Sequence, residues 1–420
     1  MERQSWYYCI DMKSFFASVE CAERGLDPFT TPLVVADESR GSGALCLAVS
    51  PCMKSLGVKN RCRLFEIPKN INYMIAKPRM KKYIEYAADI YEIYLRYIAP
   101  QDIHVYSIDE AFIDATDYLK CYGKEPKVFA RELLSLIARE KHIPAAAGIG
   151  TNLYLAKIAL DITAKGARDH IGILDEKSYC ETLWRHQPIT DFWQIAGGTA
   201  RRLAKYGIFD MYGVAHASEY LMYRLFGVNA ELLIDHAWGR ESCQMEDIHS
   251  YTAKSHSISS SQILFEDYPF EKARIVLLEM LENGCQEMMR RRVVTDKVVI
   301  GIGYSKDIQP RADGSARLPV TTNLYAVIMP HVKALFERIA DRKTPIRRLS
   351  IVFADIHPDG WEGYDLFTDL EAVEKEKRLE KAVLSIKDRF GKNAMLRLSS
   401  FQEGATARIR NKLIGGHNGG

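Results

Sequence analysis

Trp6-Tyr7-Tyr8-Cys9-Ile10-Asp11-Met12-Lys13-Ser14-Phe15-Phe16-Ala17-Ser18-Val19-Glu20 changes its period in the middle. Trp6 to Ile10 is an unbroken apolar and aromatic run, which reads as a buried strand. Ser14 to Glu23 has helical spacing, and Gly25 marks its end. Asp11 therefore falls where a strand gives way to a helix. A second stretch, Tyr106-Ser107-Ile108-Asp109-Glu110-Ala111-Phe112, lies in a strand-like segment from His104 to Thr116 and reads as a hairpin with acids near its turn. If the two strands are neighbours, three carboxylates meet at one sheet edge.

Outward from these stretches, strands and helices alternate as in an α/β layer. Helical spacing is read for Lys81 to Tyr97, Lys127 to His142 and Asn152 to Ala164, the last with an Asn cap, and Ala145 to Ile149 is a small-residue strand. Pro32 to Ala36 and Ala44 to Ser50 flank a turn-rich Ser39 to Gly43, which predicts a small separate module. From Asp175 to Gly239 the pattern becomes short helices, with a helix-hairpin-helix look around Ile195 to Leu203. Ser255 to Ala354 reads as strand, helix, strand, strand, helix, strand, the order of a ferredoxin-like split βαβ unit. Beyond Pro358 the chain turns polar, with a charged helical run from Glu371 to Arg389.

The length of 420 residues predicts several domains, and 47% apolar residues suffice for real cores. The first strand follows Met1 without a basic leader or a long apolar stretch, so neither secretion nor membrane insertion is expected. Nine scattered cysteines lack the paired spacings of a zinc site and fit free thiols in a reducing cytoplasm. A net charge of +3 does not decide for or against nucleic acid. Its distribution does more: Ser255 to Ser350 carries 15 Lys and Arg against 11 Asp and Glu, including consecutive Arg290, Arg291 and Arg292. Asp175 to Ser250 carries 7 against 11. The later segment is the better candidate for a DNA surface, although a basic run is also what a solvated face looks like.

Nucleotidyl transfer needs phosphate charge neutralised and a hydroxyl made nucleophilic, which two divalent ions about 4 Å apart do together. Hard magnesium ions take carboxylate oxygens. Asp109 and Glu110 are adjacent, so in an ideal strand they point to opposite faces and need a turn or bulge to share a site. By residue pattern alone an acid at a strand end is more often a helix cap or a turn residue than a metal ligand.

Ile10 to Glu20 and Tyr106 to Phe112 together resemble the two catalytic motifs of Y-family DNA polymerases. The resemblance runs on through Leu155-Ala156-Lys157-Ile158-Ala159 and Ser259-Ser260-Ser261-Gln262, and Lys13, Ser50-Pro51 and Arg408 to His417 are similar to the UmuC-like polymerases of Gram-positive bacteria. It implies an α/β multidomain right-hand polymerase: palm at 1–26 and 77–172, small fingers at 27–76, and a helical thumb at 173–246. A linker at 247–254, a ferredoxin-like little finger at 255–355 and a tail at 356–420 would follow. It also implies low-fidelity translesion synthesis in DNA repair, a damage-inducible (SOS) setting, two Mg2+ ions, primer–template DNA and an incoming deoxynucleotide.

Residue by residue, the resemblance makes Asp11, Asp109 and Glu110 the metal-binding acids, with the backbone carbonyl of Met12 as a further ligand. Phe15 and Phe16 would border the nucleotide, Phe16 as the steric gate against a ribose 2′-hydroxyl. Lys54 and Lys165 would meet the triphosphate. Lys13 stands where many relatives have a second acid, Pro51 replaces a triphosphate-binding Tyr, and Lys54 replaces an Arg, losing bidentate geometry. Gly197, Gly198 and Thr199 would meet a DNA phosphate, with Gln194 and Ala196 in the usual glycine places. Ser259, Ser261 and Arg290 to Arg292 are the other expected DNA contacts. Leu366 and Phe367, in Tyr364-Asp365-Leu366-Phe367, resemble the end of a peptide that docks on a sliding clamp, and an accessory subunit is a further expected partner. A non-catalytic scaffold or another palm enzyme such as a nucleotidyl cyclase are the competing classes. Retention of all three acids and the aromatic gate weighs against the scaffold, and a cyclase has no use for a thumb and a basic last domain.

Overall fold

The computed structural model describes residues 4–252, 256–305, 310–360 and 369–419. It divides into two units, Met1–Tyr251 with His417–Gly420, and Thr252–Gly416.

In the first unit the chain runs β1 (Tyr7–Met12), α1 (Phe15–Ala22), β2 (Leu33–Val35), β3 (Ala48–Val49), α2 (Pro51–Ser55), β4 (Met74–Ala76), α3 (Met80–Leu95), β5 (Ile103–Val105) and β6 (Glu110–Asp114). It continues with α4 (Thr116–Tyr122), α5 (Pro126–Lys141), β7 (Ala145–Gly150), α6 (Leu153–Ile158), α7 (Ala164–Gly166) and β8 (Ile171–Leu174). Five strands form one sheet in the order β5-β6-β1-β7-β8, so β1 is central. That position explains its composition, since both faces are covered. Tyr8 and Ile10 join the core with Phe15, Tyr83 and Phe129, while Tyr7 and Cys9 pack with Phe112, Leu153 and Leu160.

Glycine in β7 sets how near α6 approaches. A Cβ on Gly148 would lie 2.0 Å from the Ala156 carbonyl oxygen, and one on Gly150 would lie 2.2 Å from the Ala156 nitrogen. Only the absence of a side chain allows helix and strand this close. The helix expected from Asn152 to Ala164 is interrupted: Asn152 caps α6 through Leu155 N–H at 2.8 Å, and Ala159–Thr163 then widens into a π-helical turn.

β2, β3 and β4 form a separate three-stranded sheet with its own small core of Val34, Cys46, Val49 and Met53, in the segment expected as fingers. From residue 175 to 250 the chain is helical: α8 (Glu176–Leu183), α9 (Gly197–Ala204), α10 (Met211–Ala215), α11 (Glu219–Phe226), α12 (Asn229–Ala237) and α13 (Met245–Ser250). The expected linker at 247–254 contains the boundary between the units, and only its first residues, 247–250, are corrected to helix: α13 is capped by Gln244 and Asp247 and packs Met245 against Tyr7 and Phe112.

The second unit runs β9 (Ser257–Tyr268), α14 (Phe270–Arg291), β10 (Val293–Tyr304), β11 (Ala312–Thr322), α15 (Tyr325–Ile339), β12 (Ile346–Pro358) and α16 (Leu370–Phe390). Its sheet order β11-β10-β12-β9 is antiparallel throughout, with β12 splitting the β9-α14-β10 unit. α14 and α15 cover one face with a core of Leu277, Leu281, Val332, Phe336 and Phe353. The charged helical run of the tail is found as α16, but the expectation of a separate tail is corrected, because its described residues up to Gly416 fold as part of this unit. Lys387 Nζ lies 2.7 Å from Glu282 Oε1, Arg397 meets Glu380 at 2.6 Å, and the Glu279 carboxylate accepts from Thr406 and Ala407 N–H at 2.8 and 3.0 Å. A charged helix hides such pairs because each partner lies far away in sequence. Among the described residues no helix is long and apolar enough to cross a membrane.

Candidate active site

The antiparallel register of β1 and β6 sets Asp11 opposite Glu110. Opposed residues of an antiparallel pair point to the same face, here the face of Cys9 and Phe112. Asp109 precedes β6, in the turn closed by Tyr106 and Ser107 N–H donating to the Glu110 carbonyl. The turn frees Asp109 from strand alternation, and Met12 N–H donates to its carbonyl at 2.9 Å, tying the two acid-bearing segments together. Ser107 Oγ donates to Asp109 Oδ1 at 2.6 Å.

Glu110 has a partner that the sequence reading did not single out. Lys157, 7% exposed on α6, places Nζ 2.8 Å from Glu110 Oε1 and 3.2 Å from Asp161 Oδ2. Cys9 Sγ adds a contact to Glu110 Oε1 at 3.1 Å. Burial works against the charged form of Lys157, but Cys9, Asp161 and Glu110 around it outweigh that and hold its pKa above the ordinary lysine value. One signal was available: a lone lysine among Leu155, Ala156, Ile158 and Ala159 requires a buried counter-charge. The Asp11 carboxyl is pushed up to about 7, first by burial and then by Asp109 and Glu110, with Lys157 opposing.

Among the described residues no three acidic, His or Cys side chains converge closely enough to enclose a metal ion by themselves. The expected three-acid cluster is thus held in a different pairing, with Glu110 turned to Lys157. The donor chemistry still fits magnesium, which is bound by one or two carboxylates and completes its shell with water and substrate phosphates. The raised Asp11 pKa points the same way, since burial and the neighbouring Asp109 and Glu110 outweigh the single positive charge of Lys157.

Beside Asp11 opens a cleft of about 380 Å³ lined by Lys13, Phe29, Pro51, Lys54, Asp161 and Lys165 among others. Pro51 has a local reason: it is the first residue of α2, where its missing N–H costs nothing, and Ser50 caps the helix through Met53 N–H at 3.2 Å. Lys54 follows one turn later. Burial lowers its pKa, Lys165 pushes the same way, and Asp11 and Asp109 oppose. Lys13 is lowered too, by burial and then by Lys54.

Phe16 is half-buried and stacks on Tyr83, with ring centroids 4.4 Å apart and planes 14° from parallel. Tyr83 donates to Glu20 at 2.8 Å, and Glu20 is held by Arg79 at 2.9 Å, so the ring behind Phe16 is locked. Burial alone would raise the Glu20 pKa, but the hydrogen bonds from Arg79, Arg24 and Tyr83 outweigh it. Phe15 is a correction. At 2% exposure it belongs to the core beneath the sheet and offers no surface to a nucleotide, because the left-handed turn at Ser14 (φ 51°) aims it inward.

Of the expected DNA contacts, Gly197 and Gly198 are exposed at the first turn of α9, Thr199 follows half-buried, and Gln194 takes a left-handed φ of 68° in a place where glycine is usual. Ser259 and Ser261 are exposed on β9, on the sheet face opposite α14. On the same face stand Ser350 of β12, directly opposite Ser261, with Arg348 two residues before it, and Lys297 of β10 paired with Arg317 of β11. Gly301 keeps this face low, since a Cβ there would meet Arg311 at 2.2 Å. Arg290, Arg291 and Arg292 are corrected in placement. They end α14 on the helical side, where Arg290 pairs with Asp388 at 2.7 Å and Arg291 with Glu287 at 2.7 Å. Cations there also complement the helix dipole. Leu366 and Phe367 lie outside the described residues.

The chain matches the family model described as the impB/mucB/samB family over residues 10–161, and that of its C-terminal domain over residues 255–366. It is 33% identical over 416 residues to a chain named as UV-damage repair protein UvrX from Bacillus subtilis (strain 168), covering 97% of this chain and 96% of that one. It is 30% identical over 423 residues to DNA polymerase IV 2 of the same organism, covering 99% and 100%. Among solved structures it is similar to a Y-family DNA polymerase chimera with a TM-score of 0.64 at 19% identity, covering 84% of this chain and all of that one, a likeness of fold.

Proposed function

The chain belongs to the impB/mucB/samB family of Y-family DNA polymerases, and from that membership we infer that it extends a primer 3′-hydroxyl by template-directed nucleotidyl transfer, in translesion synthesis during DNA repair. The observation that carries this reading is the register that opposes Asp11 and Glu110, with Asp109 released from the strand by its turn.

Asp11, Asp109, Glu110 and the Met12 carbonyl would hold two Mg2+ ions. When bound, the ions neutralise triphosphate charge and lower the pKa of the attacking hydroxyl. The chain's own groups do the rest. Lys157 holds the Glu110 carboxylate in position, and the Met12 to Asp109 hydrogen bond holds the two acid segments in register. Lys54 and Lys165 take up phosphate charge in the cleft. Phe16, backed by Tyr83, presents a rigid ring that excludes a 2′-hydroxyl and would leave it without a hydrogen-bond partner.

Primer–template DNA is the macromolecular substrate. Exposed backbone N–H groups at Gly197 and Gly198 and the open sheet face of Ser259, Ser261, Arg348 and Arg317 support contact with its phosphates. Leu366 and Phe367 are proposed to dock on a sliding clamp, as short apolar anchors do; replacing both by Ala should abolish clamp-stimulated synthesis and spare basal extension. An accessory subunit and a cytoplasmic setting belong to the same reading.

The test is primer extension across an intact and a damaged template base with purified chain and Mg2+, beside Asp109→Asn. Extension by the wild type and a loss of at least about 10³-fold in the variant are expected. Equal extension by both would sink the acid assignment, and none by either would sink the polymerase reading.

A further inference from the structure

The mechanism above leaves Lys13 without a task, although its place is tightly determined. Its N–H donates to the Pro144 carbonyl at 2.8 Å, and its own carbonyl accepts from Ser18 Oγ at 2.6 Å. The loop between β1 and α1 is therefore clamped at both sides of the residue. From there Lys13 lines the same cleft as Lys54 and Lys165, next to Asp11.

The charges in this cleft are unevenly matched. Lys157 is satisfied by Glu110 and Asp161. Among the described residues, by contrast, no carboxylate oxygen lies within 4.0 Å of the ammonium group of Lys13, Lys54 or Lys165. Three unpaired cations around about 380 Å³ repel one another and make a positive well for a polyanion. The same wall lacks other grips. Pro51 has neither a side-chain donor nor an N–H, and Lys54 is a point charge without a bidentate fork. An ammonium carried by the β1–α1 loop, beside Asp11, supplies what α2 lacks.

Resting on the polymerase reading, we propose that Lys13 is a third triphosphate-binding residue, gripping the phosphates of the incoming nucleotide together with Lys54 and Lys165. It acts on ground-state binding, so its removal raises KM more than it lowers kcat. It also accounts for the lysine where an acid is usual: an acid would serve the metals, whereas a lysine serves the phosphates.

The test uses the full-length chain with Lys13→Gln and Lys13→Arg. Nucleotide affinity is measured by fluorescence on a dideoxy-terminated primer–template, so that no chemistry occurs, and steady-state extension is measured in parallel. Loss of a charge-assisted hydrogen bond in a part-exposed cleft predicts an affinity about 10-fold weaker in Lys13→Gln. The matching deoxynucleoside monophosphate should lose almost nothing, DNA affinity should be unchanged, and Lys13→Arg should recover most of the loss. Wild-type triphosphate affinity in Lys13→Gln, or a loss equal for mono- and triphosphate, overturns the assignment while wild-type extension leaves the polymerase reading standing. Failure of the wild type to extend a primer overturns both.

Discussion

Replacing Asp11 by Asn separates what this carboxylate does for catalysis from what it costs the fold. Its pKa is pushed from 3.8 to about 7 by burial first, then by Asp109 and Glu110, with Asp161 adding and Lys157 opposing. A carboxyl with a raised folded-state pKa stabilises the fold in its protonated form. That contribution is fully present below the unfolded value of 3.8 and is lost as pH rises through about 7. Above that, in metal-free protein, ionised Asp11 costs on the order of 4 kcal/mol at most, from 1.36 kcal/mol per pKa unit. Asn removes the charge and keeps the shape. At about pH 8 in chelator, Asp11→Asn should therefore be more stable than wild type by roughly 2–4 kcal/mol, a melting point higher by about 5–10 °C for a unit of this size. The advantage should shrink as pH falls toward about 5, and primer extension should drop by at least about 10³-fold. Thermal unfolding at several pH values, with extension assays on the same preparations, reads all three. An Asn variant that melts at or below wild type near pH 8, or whose advantage does not shrink with acid, refutes the reasoning.

Lys157→Met should destabilise the first unit by about 3–5 kcal/mol, because it strands buried Glu110 beside Asp161; urea melts should recover part of the loss in Mg2+, and equal loss with and without Mg2+ would show that no cation substitutes there. Phe16→Ala should raise ribonucleotide incorporation by orders of magnitude with a smaller fall for deoxynucleotides, whereas Phe15→Ala should cost about 3–5 kcal/mol of stability without changing sugar preference; insertion kinetics with paired nucleotides on both variants decide. Neutralising Arg317 and Arg348 should flatten the salt dependence of DNA binding, by about one unit of slope for each phosphate no longer neutralised, while neutralising Arg290 and Arg291 should leave it unchanged; the opposite result would return the DNA surface to the end of α14.

The strand-to-helix change at Asp11 and the turn that carries Asp109 before Glu110 were legible because each depends on local order. An apolar run followed by helical spacing, and a hairpin with acids at its turn, are written within a dozen residues. The start of the last domain was legible in the same way, from the return of strand and helix alternation after the helical segment, and the unit boundary at Tyr251 falls within the expected linker 247–254, whose first residues belong to the helix Met245–Ser250.

What the chain order could not decide is which distant groups face each other. Phe15 and Phe16 are equivalent as letters, and only the left-handed turn at Ser14 and the packing of Tyr83 send one ring inward and stack the other on Tyr83. Three consecutive arginines read as a DNA surface until Asp388, far along the chain, pairs with one of them, while the basic residues of the open face are dispersed over three strands and meet only through sheet register. Lys157 and Glu110 are likewise joined only because the glycines of β7 let α6 close on the sheet. The chemistry in this protein is carried by residue types in short motifs, which sequence determines alone. Charge pairing acts over a few ångströms in space irrespective of separation along the chain, so the state of each charged group is decided by the tertiary structure.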